Sequence, residues 1–233
     1  MVKRNFSCAS AKPHDLLELD SPESIHDLEG TPAWVYESLS ACPYVVVRRS
    51  PASDNALAIG VRGESRNQRW PGFVSADRIK TIVSPCELRI GPTIKPERLG
   101  AIPAFRHLLA LEEKWCSLDL QWGPGGSIGF ELASAHPVAT PLSDLDILLF
   151  APGPFDCDYA RSLLLSVRQI AARIDVLVET PASGFSLEEY ADSKGRPLLV
   201  RHADGPRLAI DPWCMENTTG VRADLLAESE MPV

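Results

Sequence analysis

The chain of 233 residues carries 45% apolar and 23% charged residues, the balance of a folded globular protein, and it is long enough for one large domain or two small ones. Its formal net charge of −8 at pH 7 argues against general nucleic-acid binding, which depends on neutralising phosphates. No apolar run approaches the roughly 20 residues needed to cross a bilayer, and the opening MVKRNFSCASAKPHD has no apolar stretch behind its basic residues, so a cytoplasmic location away from membranes is expected.

In chain order, residues 14–19 form a short apolar-acidic stretch, followed by a loop rich in Ser, Pro, Glu and Asp. Residues 34–39 predict a turn or two of helix, and residues 44–48 (YVVVR) a strand. Residues 57–62 (LAIGVR) are its expected hairpin partner, because Pro51, Ser53, Asp54 and Asn55 supply turn chemistry between them. Pro85, Pro92 and Pro96 mark a domain boundary. One helix is then expected from the helical spacing of Leu99, Ile102, Phe105, Leu108, Leu109 and Leu111. A strand near residues 118–122, the turn GPGGS (123–127), a strand over 145–150, a helix capped by Asp158 and a strand over 174–179 (IDVLVE) complete an α/β unit. GPRLAIDPW (205–213) reads as a closing strand with a Trp213 plug, and the residues after Asn217 as a tail. The fold class expected is α+β with two small domains, residues 1–96 and 97–214, and a tail over 215–233.

The six cysteines are far apart and form no CxxC pair, so they read as reduced and structural. Residues 40–100 hold ten Lys or Arg against five Asp or Glu, whereas residues 101–233 hold ten against nineteen. A basic middle beside an acidic second half suits a small polyanion held with a divalent metal, although an uneven solvated surface gives the same tally.

Chemistry concentrates in SDLDILLF (143–150). Aspartates at i and i+2 of a strand point to one face, so Asp144 and Asp146 can share a cation, while Leu145 and Ile147 turn to a core. An Asp-x-Asp pair alone is weak. Its weight grows with GPGGS, whose glycines let backbone N–H groups turn toward an anion beside the Ser127 hydroxyl. Asp175 adds a third carboxylate on a neighbouring strand, on the same face as Leu177 and Glu179. Three carboxylates facing a phosphate-binding turn meet the needs of two-metal phosphoryl transfer. His14 and His107 are expected to pack or cap rather than to catalyse.

WGPGGSIGFELASA followed by SDLDILLF resembles the signature of the polymerase-beta-type nucleotidyltransferase superfamily, with sixteen residues between Ser127 and Asp144. Within it, PHDLLEL (13–19), PYVVVRR (43–49), IGVRGESRNQR (59–69), RIDVLVETP (173–181) and GPRLAIDPW resemble the phosphoribosyl-dephospho-CoA transferases that mature malonate decarboxylase, in order over nearly the whole chain. The resemblance implies a C-terminal domain with a mixed sheet and flanking helices. It implies transfer from 2′-(5″-triphosphoribosyl)-3′-dephospho-CoA to a serine of the apo acyl-carrier subunit, with release of pyrophosphate. On that reading Asp144 and Asp146 hold magnesium or manganese, and Asp175 is a third ligand or helps deprotonate the serine. Gly126 and Ser127 contact the departing phosphates. Arg48, Arg49, Arg62, Arg66 and Arg69 pair with donor phosphates, contact the carrier protein or solubilise a hairpin, with Arg49 and Arg62 foremost because they end strands. Two other readings are a nucleotidyltransferase of this superfamily with another acceptor and a non-catalytic carrier-binding module. Retention of all three aspartates argues against the second.

Overall fold

The computed structural model describes residues 11–26, 29–51, 56–65, 67–90 and 94–214. Parts of the expected 51–55 turn, Arg66, Cys8 and the expected tail lie outside them. The first unit comprises β1 (Leu16–Leu19), α1 (Ala33–Ala41), β2 (Tyr44–Val47), β3 (Leu57–Arg62), β4 (Arg69–Val74) and β5 (Ile79–Val83). Its strands form an antiparallel sheet in the order β4-β3-β2-β1-β5. Alternation with period two sends Leu17, Leu19, Val45, Val47, Ile59 and Val61 to a core shared with Val35 and Leu39 of α1. Tyr44, Val46, Gly60 and Arg62 are thereby turned to the opposite face.

The second unit comprises α2 (Pro96–Ala101), α3 (Pro103–Lys114), β6 (Gln121–Pro124), α4 (Gly126–Ser134), β7 (Leu145–Phe150), α5 (Cys157–Arg168), β8 (Ile174–Glu179), β9 (Ser183–Ser186), α6 (Leu187–Ser193), β10 (Leu198–His202) and β11 (Gly205–Ala209). The sheet runs β11-β10-β9-β8-β7-β6, with β7 and β8 parallel and the other described pairs antiparallel. A parallel pair needs a crossover, and α5 supplies it. Leu145, Ile147, Leu149, Val176 and Val178 form a core with Phe105, Leu108 and Leu111 of α3 and Leu163, Leu164 and Val167 of α5.

Three local expectations are corrected. The single helix through Leu99–Leu111 is two helices: Pro103 holds Ile102 in an extended conformation, φ −110° and ψ 102°, which ends α2 there. The cap of α5 is Asp156, whose carboxylate accepts from the Tyr159 N–H at 2.7 Å, whereas Asp158 pairs with Arg161. The strand expected near 118–122 runs later, as β6. The Trp213 plug does pack: its Nε1–H donates to the Ala151 carbonyl at 3.0 Å and its ring sits edge-on to Phe155, Phe185 and Tyr190.

The two units meet where the outer face of the first sheet covers α4. Leu16, Cys42, Tyr44 and Val46 bury Phe130 and Leu132, with Tyr44 and Phe130 edge-on at 6.4 Å. Among the described residues no helix is long and apolar enough to cross a membrane.

Candidate active site

A cavity of about 920 Å³ lies between the outer face of the first sheet and the open face of the second. That is near the upper end of the roughly 300–1,000 Å³ typical of small-molecule sites. At one end stand Asp146 and Asp175, directly opposite each other in the β7–β8 ladder and both exposed to the cavity. Neighbouring strands run about 4.8 Å apart, so two like charges sit side by side on one face. That costs energy unless a cation lies between them.

The glycine-rich turn closes over this pair. Gly125 donates its N–H to the Asp146 carbonyl at 2.8 Å, which pins the start of α4 to β7. Gly126 has φ +55°, and a Cβ there would stand 1.8 Å from Asp146 Oδ2. Glycine is therefore required twice, for the backbone angle and for the approach to the carboxylate. GPGGS is not a free loop: Gly126 and Ser127 begin α4, whose end carries the positive pole of the helix dipole into the cavity. Ser127 accepts a hydrogen bond at 2.8 Å from Nη1 of Arg62, which comes from the end of β3. Arg69, opposite Arg62 in the β3–β4 ladder, lines the same cavity.

Asp144 departs from the expected geometry. β7 begins at Leu145, so Asp144 lies just before the strand, and it is not among the residues lining the cavity. Its Oδ1 accepts from Arg173 Nε at 2.6 Å, and Arg173 also donates to the Leu142 carbonyl at 2.7 Å. Among the described residues, no three His, Cys, Asp or Glu side chains converge into a metal cage. The facing pair is thus Asp146 with Asp175. Two adjacent carboxylates opening on a cavity fit a hard divalent cation, which takes oxygen ligands and keeps part of its water shell.

At the other end of β8 is Glu179, four residues beyond Asp175 and therefore about 13 Å away along the strand. It is buried and tied to the first unit twice: Oε1 meets His14 Nε2 at 2.9 Å, and Oε2 accepts from Nη2 of Arg49. Arg49 is occupied by this buried ion pair and is not among the cavity-lining residues, contrary to its expected role with phosphate. His14 is neither packed away nor capping. It lines the cavity from a left-handed backbone, φ 74°, that non-glycine residues adopt where surroundings enforce it. Gly184, opposite Glu179 in the β8–β9 ladder, leaves room for this knot: a Cβ there would lie 2.5 Å from Glu179 Oε1.

Behind the site, buried Glu131 of α4 accepts from Arg98 Nε and Nη2 at 2.8 and 2.6 Å and from the N–H groups of Val138 and Ala139 at 3.0 and 2.8 Å. This clamp fixes the path from α4 to Asp144. Glu131, Arg173, Gly184 and Arg201 escape a reading of sequence patterns. The available hint for Glu179 is its place on the Asp175 face of an apolar strand.

Two family models match. The Phosphoribosyl-dephospho-CoA transferase MdcG N-terminal domain covers residues 12–85 and the C-terminal domain residues 93–212. A phosphoribosyl-dephospho-CoA transferase of Pseudomonas aeruginosa is 42% identical over 205 residues, 88% of this chain and 95% of that protein. Proteins of the same name from Azotobacter vinelandii and Klebsiella pneumoniae are 37% and 34% identical, over 87% and 89% of this chain and 94% and 98% of theirs. No solved structure matches the chain significantly. With both domains matched in order, and with relatives alike over nearly their full length, the chain belongs to the phosphoribosyl-dephospho-CoA transferase family, and it is a transferase.

Proposed function

We propose that this chain moves phosphoribosyl-dephospho-CoA from 2′-(5″-triphosphoribosyl)-3′-dephospho-CoA to a serine of the apo acyl-carrier subunit of malonate decarboxylase. The observation that carries this reading is the Asp146–Asp175 pair, in register at the cavity and overhung by the start of α4. The serine oxygen bonds to the α-phosphorus, the bond from that phosphorus to the pyrophosphate oxygen breaks, and the hydroxyl proton passes to solvent.

Asp146 and Asp175 would hold magnesium or manganese, and Asp144 would join them on turning from Arg173. Such an ion, when bound, supplies charge neutralisation at the phosphate oxygens. The chain's own groups do the positioning, which is most of the work in phosphoryl transfer. The N–H groups that open α4 are aimed at an anion, and Arg62 orients the Ser127 hydroxyl beside them. A role for Arg49 at the donor is replaced by its tie to Glu179, which holds the cavity walls together.

The test is to incubate protein, magnesium, donor and apo-carrier and weigh the carrier. A gain equal to the phosphoribosyl-dephospho-CoA group is expected. Asp146→Asn should keep the fold and lower turnover by at least about a hundredfold. Undiminished transfer by Asp146→Asn, or no gain in mass with the unaltered protein, overturns the reading.

A further inference from the structure

The cavity is electrically two-ended. Its first end holds Asp146 and Asp175 and calls for a cation. Its second end is lined by His14, which reaches behind the wall to Glu179, whose charge is already matched by Arg49. His14 lines the cavity together with Arg48 and Arg201. The ladders place their backbones. The His14 N–H donates to the Val47 carbonyl at 2.9 Å, which puts it beside Arg48. Arg201 is opposite Gly184, the residue whose missing Cβ makes room for Glu179. The stem of Arg48 lies across Gly60, with Cδ at 3.5 Å from where a Cβ would be.

These cations differ from the other arginines near the site. Arg62 is hydrogen-bonded to Ser127, Arg98 to Glu131 and Arg173 to Asp144. Arg48 and Arg201 form no ion pair with any carboxylate among the described residues. His14 uses Nε2 on Glu179, so Nδ1 is left for a ligand. Two guanidinium groups and an imidazole lining one cavity, with the Glu179 carboxylate already neutralised, suit an anion with several oxygens.

Resting on the transferase reading above, we infer that His14, Arg48 and Arg201 form a second anion subsite that takes the 5′-diphosphate of the donor's dephospho-CoA half. The donor carries two polyphosphates of unlike surroundings: the triphosphate that reacts, and the diphosphate between adenosine and pantetheine. Two furanose rings separate them, and Asp175 and Glu179 are about 13 Å apart along β8. The triphosphate goes to the carboxylates with a metal, and the diphosphate to the arginines without one. A plain nucleoside triphosphate occupies the first end alone, so the second end selects the donor.

The experiment measures binding of dephospho-CoA by calorimetry without divalent metal, in parallel with binding of magnesium pyrophosphate and with the carrier-mass assay. Arg48→Gln and Arg201→Gln should each weaken dephospho-CoA about tenfold or more, and leave magnesium pyrophosphate within about twofold. In the transfer assay the same variants should raise the donor KM with little change in kcat. Both arginines are exposed, and unchanged melting temperatures will verify that the variants fold. If the unaltered protein transfers the group but both variants bind dephospho-CoA normally, the subsite is wrong and the transferase reading stands. If the unaltered protein neither transfers the group nor binds dephospho-CoA, both fall.

Discussion

Replacing Glu179 by Gln probes the tie between the two units without changing side-chain size. The carboxylate is 6% exposed and serves two donors, Arg49 at 16% and His14 at 30% exposure. Gln offers one acceptor oxygen where Glu offers two, and turns an amide N–H toward Arg49 or His14. Removing one partner of a buried pair costs about 3–5 kcal/mol, chiefly through the charge left behind. Arg49 is close enough to water to recover part of this, which brings the expectation to about 2–3 kcal/mol. For chains of 150–250 residues each kcal/mol is worth roughly 2–4 °C, so the melting temperature should fall by roughly 4–12 °C. Thermal unfolding followed by circular dichroism measures it. Arg49→Met and the double variant complete a cycle in which the double change should cost less than the sum of the single ones. A drop below about 2 °C with additive single changes would refute the claim that this pair joins the units.

Three further outcomes follow from the geometry. Gly126→Ala should abolish most transfer and cost about 1–2 kcal/mol in urea unfolding, since its Cβ meets the Asp146 carboxylate at a positive φ; retained activity would count against the Gly126–Asp146 contact. Arg62→Ala should raise the donor KM, with Lys restoring it only in part because Lys lacks the planar fork that reaches Ser127; a KM change for the carrier alone would favour a docking role. Burial raises the Asp15 carboxyl from 3.8 to about 6, against the opposing hydrogen bond from the Lys12 N–H. The fold therefore holds that proton more tightly than the unfolded chain does, so this contribution to stability is complete below about pH 4 and is lost as pH rises through about 6. Asp15→Asn should remove the trend: relative to the unaltered protein its urea midpoint should improve between pH 4 and 7, and parallel curves would contradict the assignment.

Much of the architecture was legible because burial on one face leaves a period in the residues. YVVV, LAIGVR, LDILLF and IDVLVE all became strands, and the two carboxylates that face each other lie on the last two. β4 was not legible, because RWPGFV carries Pro71 and Gly72 and turns little but Gly72 and Val74 inward. The partner of Asp144 was not legible: the Leu145 N–H bonds to the Arg173 carbonyl beside it, and that same arginine takes the Asp144 side chain. The knot around Glu179 was beyond local pattern altogether. Its partners stand 130 and 165 residues away, and no periodicity links an arginine at a strand end to a carboxylate that far along the chain.

The Glu131 clamp gives the segment between Ser127 and Asp144 a fixed length. Four hydrogen bonds to one carboxylate tie α4 to Arg98 and to the backbone at Val138 and Ala139 in the segment leading to β7, so the sixteen intervening residues act as a strut rather than as slack. A residue added between Ser127 and Glu131, or between Ala139 and Asp144, would slide the aspartates against the opening turn of α4. Residues 152–154, exposed between the bonded Ala151 and the packed Phe155 at the end of β7 away from Asp146, carry no such duty. In a lineage of such chains, changes of length would accumulate after the strand and be excluded before it.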